Sequence, residues 1–142
     1  MQETSVDEAL DKILERHPRY PREAYLFVRE ALDYTQKAVS KAARSQLRHV
    51  TGQELLAGIR AYALEQFGPM ALTVFEEWNI RECLDFGRIV FNMIEAGILA
   101  KTEQDSLADF EGGYDFQEAF RKPFLPPSKQ GNSRPSVNPA RA

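Results

Sequence analysis

The sequence predicts a mainly α fold, a small helical domain built around a helix-turn-helix. Three observations predict it. Apolar residues recur at helical spacing through residues 50–99. Capping and stop residues divide that stretch into three segments. The turn between the second and third segments is only a few residues long, with Ile80 pointing inward.

The elements follow in chain order. Ser5 and Glu8 have capping-box spacing, and Val6, Ala9, Leu10, Ile13 and Leu14 follow on one face. This first helix stops by His17, because the residue before a proline is pushed out of the helical region. His17-Pro18-Arg19-Tyr20-Pro21 is a rigid connector, and Pro21 starts the next helix. Ala24, Phe27, Val28, Ala31, Leu32, Thr35 and Ala38 carry that helix past Tyr34, in a heptad-like seam long enough to predict self-association. Thr51 and Glu54 form a second capping box, followed by Leu55, Leu56, Ile59, Ala63 and Phe67. Gly68 suits a left-handed stop and Pro69 the first turn of a short helix carrying Ala71, Val74, Phe75 and Trp78. Asn79 is the best non-glycine residue for the next left-handed stop. The third helix starts near Glu82, buries Phe86, Ile89, Val90, Met93 and Ile94, and ends at Gly97.

After Gly97, residues 98–102 read as a short strand, and Tyr114-Asp115-Phe116 as its return across Gly112-Gly113. A helix ending in Glu95-Ala96-Gly97-Ile98-Leu99 before a short β-hairpin resembles a recognition helix leading into the wing of winged-helix proteins. The expected organisation is one globular domain over residues 1–122, with a helix-turn-helix core at about 51–97 and a wing at 98–116. Residues 123–142 form a proline-rich, basic tail without helical periodicity, expected to be disordered.

Composition excludes several classes. With 142 residues, 43% hydrophobic and 27% charged, the chain is long enough for a proper core and ordinary for a soluble domain. No apolar run is long enough to span a membrane, and residues 1–5 lack the basic-then-apolar pattern of a signal peptide. The single cysteine, Cys83, fits a reducing compartment, and a cytoplasmic location is expected. The net charge of −3 hides segregation. Residues 34–53 carry four bases and no acids, and residues 119–142 five bases and no acids, which leaves nine bases against 21 acids elsewhere.

No catalytic set is legible. His17, His49 and Cys83 are the only nitrogen or sulfur ligands of the zinc type and are scattered, so no metal or cofactor is expected. Cys83 stands near a helix start but has no histidine near it in sequence to act as base, and reads as a packed thiol. The acidic run around Asp105 fails the calcium-loop pattern, since the third position is Leu107 and the sixth Phe110 rather than glycine.

The strings HPRYPREAYLFVREALDYTQ, HVTGQELL, ALEQFGPMALTVFEEW and GYDFQEAFRKPF resemble a family of small, conserved, uncharacterised bacterial proteins, over about residues 15–125. That family usually has glycine where this chain has Asn79, and a shorter, less helical stretch between Thr35 and His49. The resemblance implies no activity, substrate or site residue.

The expected function is a non-enzymatic, cytoplasmic protein-protein interaction module, an adaptor using Tyr20, Tyr25, Tyr114 and Phe116 as interface aromatics beside the tail. The alternative is nucleic-acid binding by a basic stripe, Lys37, Lys41, Arg44 and Arg48, helped by the tail and by Arg81 and Arg88 on the third helix. Glu82 and Asp85, placed on the same exposed face, oppose that alternative.

Overall fold

A computed structural model of the chain describes residues 2–42, 49–100 and 106–126. Helix α1 spans Gln2–Arg16, α2 Arg22–Ala42, α3 Gly52–Phe67, α4 Ala71–Glu77, α5 Cys83–Glu95 and α6 Phe116–Phe120. Single 3-10 turns at Gly68–Met70, Leu107–Phe110 and Lys122–Phe124 complete it. The mainly α prediction holds, and no strand occurs among the described residues.

Most predicted stops fall where expected. Thr51 accepts from the Glu54 amide and Glu54 from the Thr51 amide, at 3.1 and 3.0 Å, a complete capping box. Gly68 has φ 53° and Asn79 φ 63°, both positive, Gly68 with ψ −133° in a conformation that glycine tolerates. Ile80 is fully buried, its amide bonded to the Phe75 carbonyl at 2.8 Å. Helix α1 ends at Arg16, just before the connector. It begins at Gln2, however, so Ser5 lies inside the helix rather than capping it. Gln2, Glu3 and Thr4 are neither glycine nor proline and do not stop the helix from extending towards the N-terminus.

Among the described residues the two sides of the predicted hairpin do not pair. The Ile98 and Leu99 amides bond back to the Met93 carbonyl at 2.9 and 3.4 Å, closing the end of α5 instead of pairing with a strand. On the return side, Asp115 accepts from the Glu118 amide at 3.1 Å and caps α6, so Phe116 starts a helix. The loop before it is strapped down. The Tyr114 hydroxyl donates to the Leu56 carbonyl at 2.8 Å, and its amide meets the Cys83 sulfur at 3.3 Å. Residues 101–105 of the predicted wing, and 127–142 of the tail, lie outside the described residues.

Packing explains why the long helices pair as they do. The α2 seam of Ala24, Phe27, Val28, Ala31 and Thr35 is buried within the chain, and α2 packs against α3. That part of the seam is not free for pairing between copies, whereas Leu32 is half-buried and Ala38 exposed. At Gly58 the backbones approach so closely that a Cβ would sit 1.7 Å from the Thr35 hydroxyl. Phe75 forms the centre of the core. Its ring lies 5.1–6.4 Å from those of Phe27, Phe67, Trp78, Phe86, Phe116 and Phe120, and pairs at such distances add to simple area burial. Phe116 and Phe120 close this cluster from the C-terminal side.

Candidate functional site

The connector between α1 and α2 is held against the start of α5 by one buried carboxylate. Asp85 is 1 % exposed. It accepts from the Tyr20 hydroxyl at 2.5 Å, the Arg81 amide at 2.8 Å, the Glu82 amide at 3.2 Å and Arg88 Nη1 at 2.8 Å. Arg19 approaches the same carboxylate at 3.5 Å. Two of these donors are unpaired amides at the start of α5, where a negative charge also meets the helix dipole. Burial alone raises the Asp85 pKa, but the hydrogen bonds from Tyr20, Arg81, Arg88 and Glu82 outweigh it and hold the group below the usual carboxylate range. Burial, and then the bond to Asp85, pushes the Tyr20 hydroxyl far above its ordinary value. The pair is thus a neutral phenol donating to a charged carboxylate.

Above this knot lies an open cleft of about 540 Å³, walled by the connector and by α5. Arg16, His17, Arg19 and Arg88 line it together with Asn92, and among the described residues its lining contains no carboxylate. Phe91 and Leu107 supply an apolar wall, and Leu107 is 39 % exposed. At one edge Glu95 meets Arg16 at 3.5 Å and His17 at 3.2 Å. At the other, Glu82 meets Arg88 at 3.7 Å.

A second feature is a row of rings where α2, α3 and α4 meet. Tyr34 and Tyr62 lie 5.1 Å apart, and Tyr62, Phe67 and Trp78 surround the buried Phe27 at 5.4–5.6 Å. Tyr34, Tyr62, Phe67 and Trp78 are half-buried, and Met70, in the turn after Phe67, is 55 % exposed. The Tyr62 hydroxyl donates to Glu30 at 3.0 Å; burial and then that carboxylate hold it protonated. A third feature is an apolar cavity of about 230 Å³, whose walls include Leu32, Val50, Leu55, Val90, Ile94 and Leu99.

The predicted site residues fare unevenly. Tyr20, Tyr25 and Phe116 are 2 %, 0 % and 6 % exposed, so these three are not exposed interface aromatics, and Tyr114 is half-buried with its hydroxyl on the Leu56 carbonyl. Long-range partners hold them inward: Tyr25 accepts from Asn92 at 2.9 Å and Phe116 stacks on Phe86 at 5.7 Å. Lys37 and Lys41 stand on the last turns of α2, Lys37 ion-paired with Asp33 at 3.1 Å, whereas Arg44 and Arg48 lie outside the described residues. Arg81 is exposed, and Arg88 is tied to Asp85. Asp85 was expected on the exposed face and is buried instead. Its spacing from Glu82, three residues on from the helix start, is the signal that a capping role was available. Cys83 is buried, and burial raises its thiol pKa, with Glu82 adding to it. Among the described residues no three His, Cys, Asp or Glu side chains are grouped to hold a metal, and no helix is long and apolar enough to cross a membrane.

Comparison with protein-family models, curated proteins and solved structures finds no match to this chain.

Proposed function

We propose that this is a non-enzymatic cytoplasmic interaction module that binds another protein through the ring face of α2, α3 and α4. The observation that carries the reading is the row Tyr34, Tyr62, Phe67 and Trp78, half-buried and bordered by exposed Met70. Aromatic residues and methionine are the side chains enriched in interface cores. Rings already locked by neighbours lose little conformational entropy on binding. A reactive role for Cys83 has little support, since its thiol is buried and protonated.

The nucleic-acid alternative gains one point and loses another. Asp85 no longer opposes phosphate, being buried and ion-paired with Arg88, but Lys37 is engaged by Asp33. The order α3, α4, α5 supports a helix-turn-helix kinship; a winged-helix relationship would rest on that order alone. The test is affinity capture from native lysate with the full chain and with the single variant Met70→Glu. A stoichiometric protein retained by the wild type and lost with Met70→Glu supports the reading. Equal retention by both, or no retained protein, overturns it.

A further inference from the structure

We propose that the cleft between the connector and α5 binds a phosphomonoester carrying an apolar or planar substituent. In a chain with 21 acids against 18 bases, an opening whose described lining holds three arginines, a histidine and an asparagine without one carboxylate is a concentration of donors that composition does not predict. Guanidinium groups present fixed forks of N–H donors matched to phosphate oxygens. The cleft volume falls in the range of small-molecule sites.

The buried layer beneath makes this a built feature. Asp85 holds Arg88 Nη1 at 2.8 Å and locks Tyr20, whose ring carries the Arg19 guanidinium at 5.5 Å. One carboxylate thereby positions two of the three arginines. Arg19 also reaches Asp85 at 3.5 Å, and the remaining pairs lie at the edges, Glu95 with His17 at 3.2 Å and with Arg16 at 3.5 Å and Glu82 with Arg88 at 3.7 Å. Both carboxylates are exposed, so those pairs are weak and exchange readily for a dianion. Phe91 and exposed Leu107 then give the substituent an apolar wall.

The flanks select a small ligand over an extended polyanion. Past His17 the neighbouring hollow is lined by Glu8 and Glu95 together with Lys12 and Arg16, and Glu82 pairs with Arg88 beside the cleft. A polynucleotide strand leaving the cleft past His17 meets Glu8 and Glu95, and one passing Arg88 meets Glu82. A single phosphate meets only the donors between them. The site is separate from the ring face, so its test does not depend on the protein-binding reading.

The experiment is a titration of the full-length protein at low salt, followed by backbone amide NMR, with inorganic phosphate and with phenyl phosphate as probes. Saturable shifts at residues 16–20 and 88–92 are expected, with phenyl phosphate binding roughly fivefold tighter through its apolar contact. Arg16→Ala and Arg19→Ala, both at exposed side chains, each weaken binding about tenfold while leaving the melting temperature in place. Glu95→Gln removes the competing carboxylate and tightens binding, and Lys37→Ala changes nothing. Non-saturable shifts, shifts that survive Arg16→Ala/Arg19→Ala, or a Glu95→Gln variant that binds no tighter overturn the proposal.

Discussion

At Asp85 one side chain joins three parts of the chain. Its carboxylate ends the connector at Tyr20, closes the tight turn at Arg81 and caps α5 at Glu82. Asp85→Asn keeps the shape but halves the acceptor capacity and removes the charge that Arg88 faces. We expect a loss of about 2–3 kcal/mol at pH 7, and about 1 kcal/mol for Tyr20→Phe, measured by urea unfolding. The pH dependence has a definite sign. Because the native carboxylate is held below its unfolded value of about 3.9, the unfolded chain takes up the proton first on acidification. The stability that Asp85 contributes is therefore fully present above that value and is lost as pH falls through the lowered native one. The gap between wild type and Asp85→Asn should narrow from pH 7 to pH 3, and a gap constant across that range would contradict the assignment. Cys83 gives a second residue-scale expectation. Its buried thiol, wedged against the Tyr114 backbone, should react with an aromatic disulfide far more slowly in the native state than in urea.

The helices were legible where local chemistry decides them. Thr51 with Glu54, Gly68 and Asn79 each act within a few residues of themselves, so their spacing reports the observed caps and stops. The described segments that read as a hairpin differ for the complementary reason. Ile98 and Leu99 look like strand residues, but their amides turn back to Met93, and Phe116 is drawn into a helix by the cap at Asp115 and by the core beyond it. The interface tyrosines failed similarly: Tyr20 and Tyr25 are amphipathic, and their partners Asp85 and Asn92 lie 65 and 67 residues away, beyond any periodicity. The convergence of Arg16, Arg19 and Arg88 on one cleft is long-range in the same sense. Gly58 is a further case, since nothing in α3 alone requires glycine there and helix propensity opposes it. Its reason is Thr35 on α2, whose hydroxyl donates to the Ala31 carbonyl at 2.7 Å. Gly58→Ala should raise helix propensity and yet destabilise the protein by about 1–3 kcal/mol. Adding Thr35→Ala should recover part of that loss, because the nearest clashing atom is gone. Additive losses in a double-mutant cycle would show that the two helices do not meet as described.

For the molecule as a whole, the order of the chain leaves the core open until its C-terminal part arrives. Phe75 sits among rings from α2, α3, α4, α5 and α6, and the α6 pair, Phe116 and Phe120, fills the side that the earlier helices do not cover. Phe120 is fully buried, and truncating one such ring to alanine costs about 3–5 kcal/mol, against a total stability of about 5–15 kcal/mol for a domain. A chain ending at Gly113 loses both rings, the Tyr114 bond to Leu56 and the contact with Cys83 together. The summed loss matches or exceeds the whole stability. We therefore expect the fragment 1–113 to keep helical circular dichroism but lose its cooperative melt and bind a hydrophobic dye, as collapsed states without specific packing do. Phe124→Ala in the full chain is the matched control, because that ring is 43 % exposed and its loss should cost no more than about 0.5 kcal/mol. A fragment 1–113 that melts cooperatively near the full-length temperature would place the closing contacts elsewhere. The ring face at Tyr34, Tyr62 and Trp78 would then be able to form without α6, and partner binding would survive the truncation; with α6 required, binding and cooperative folding are lost together.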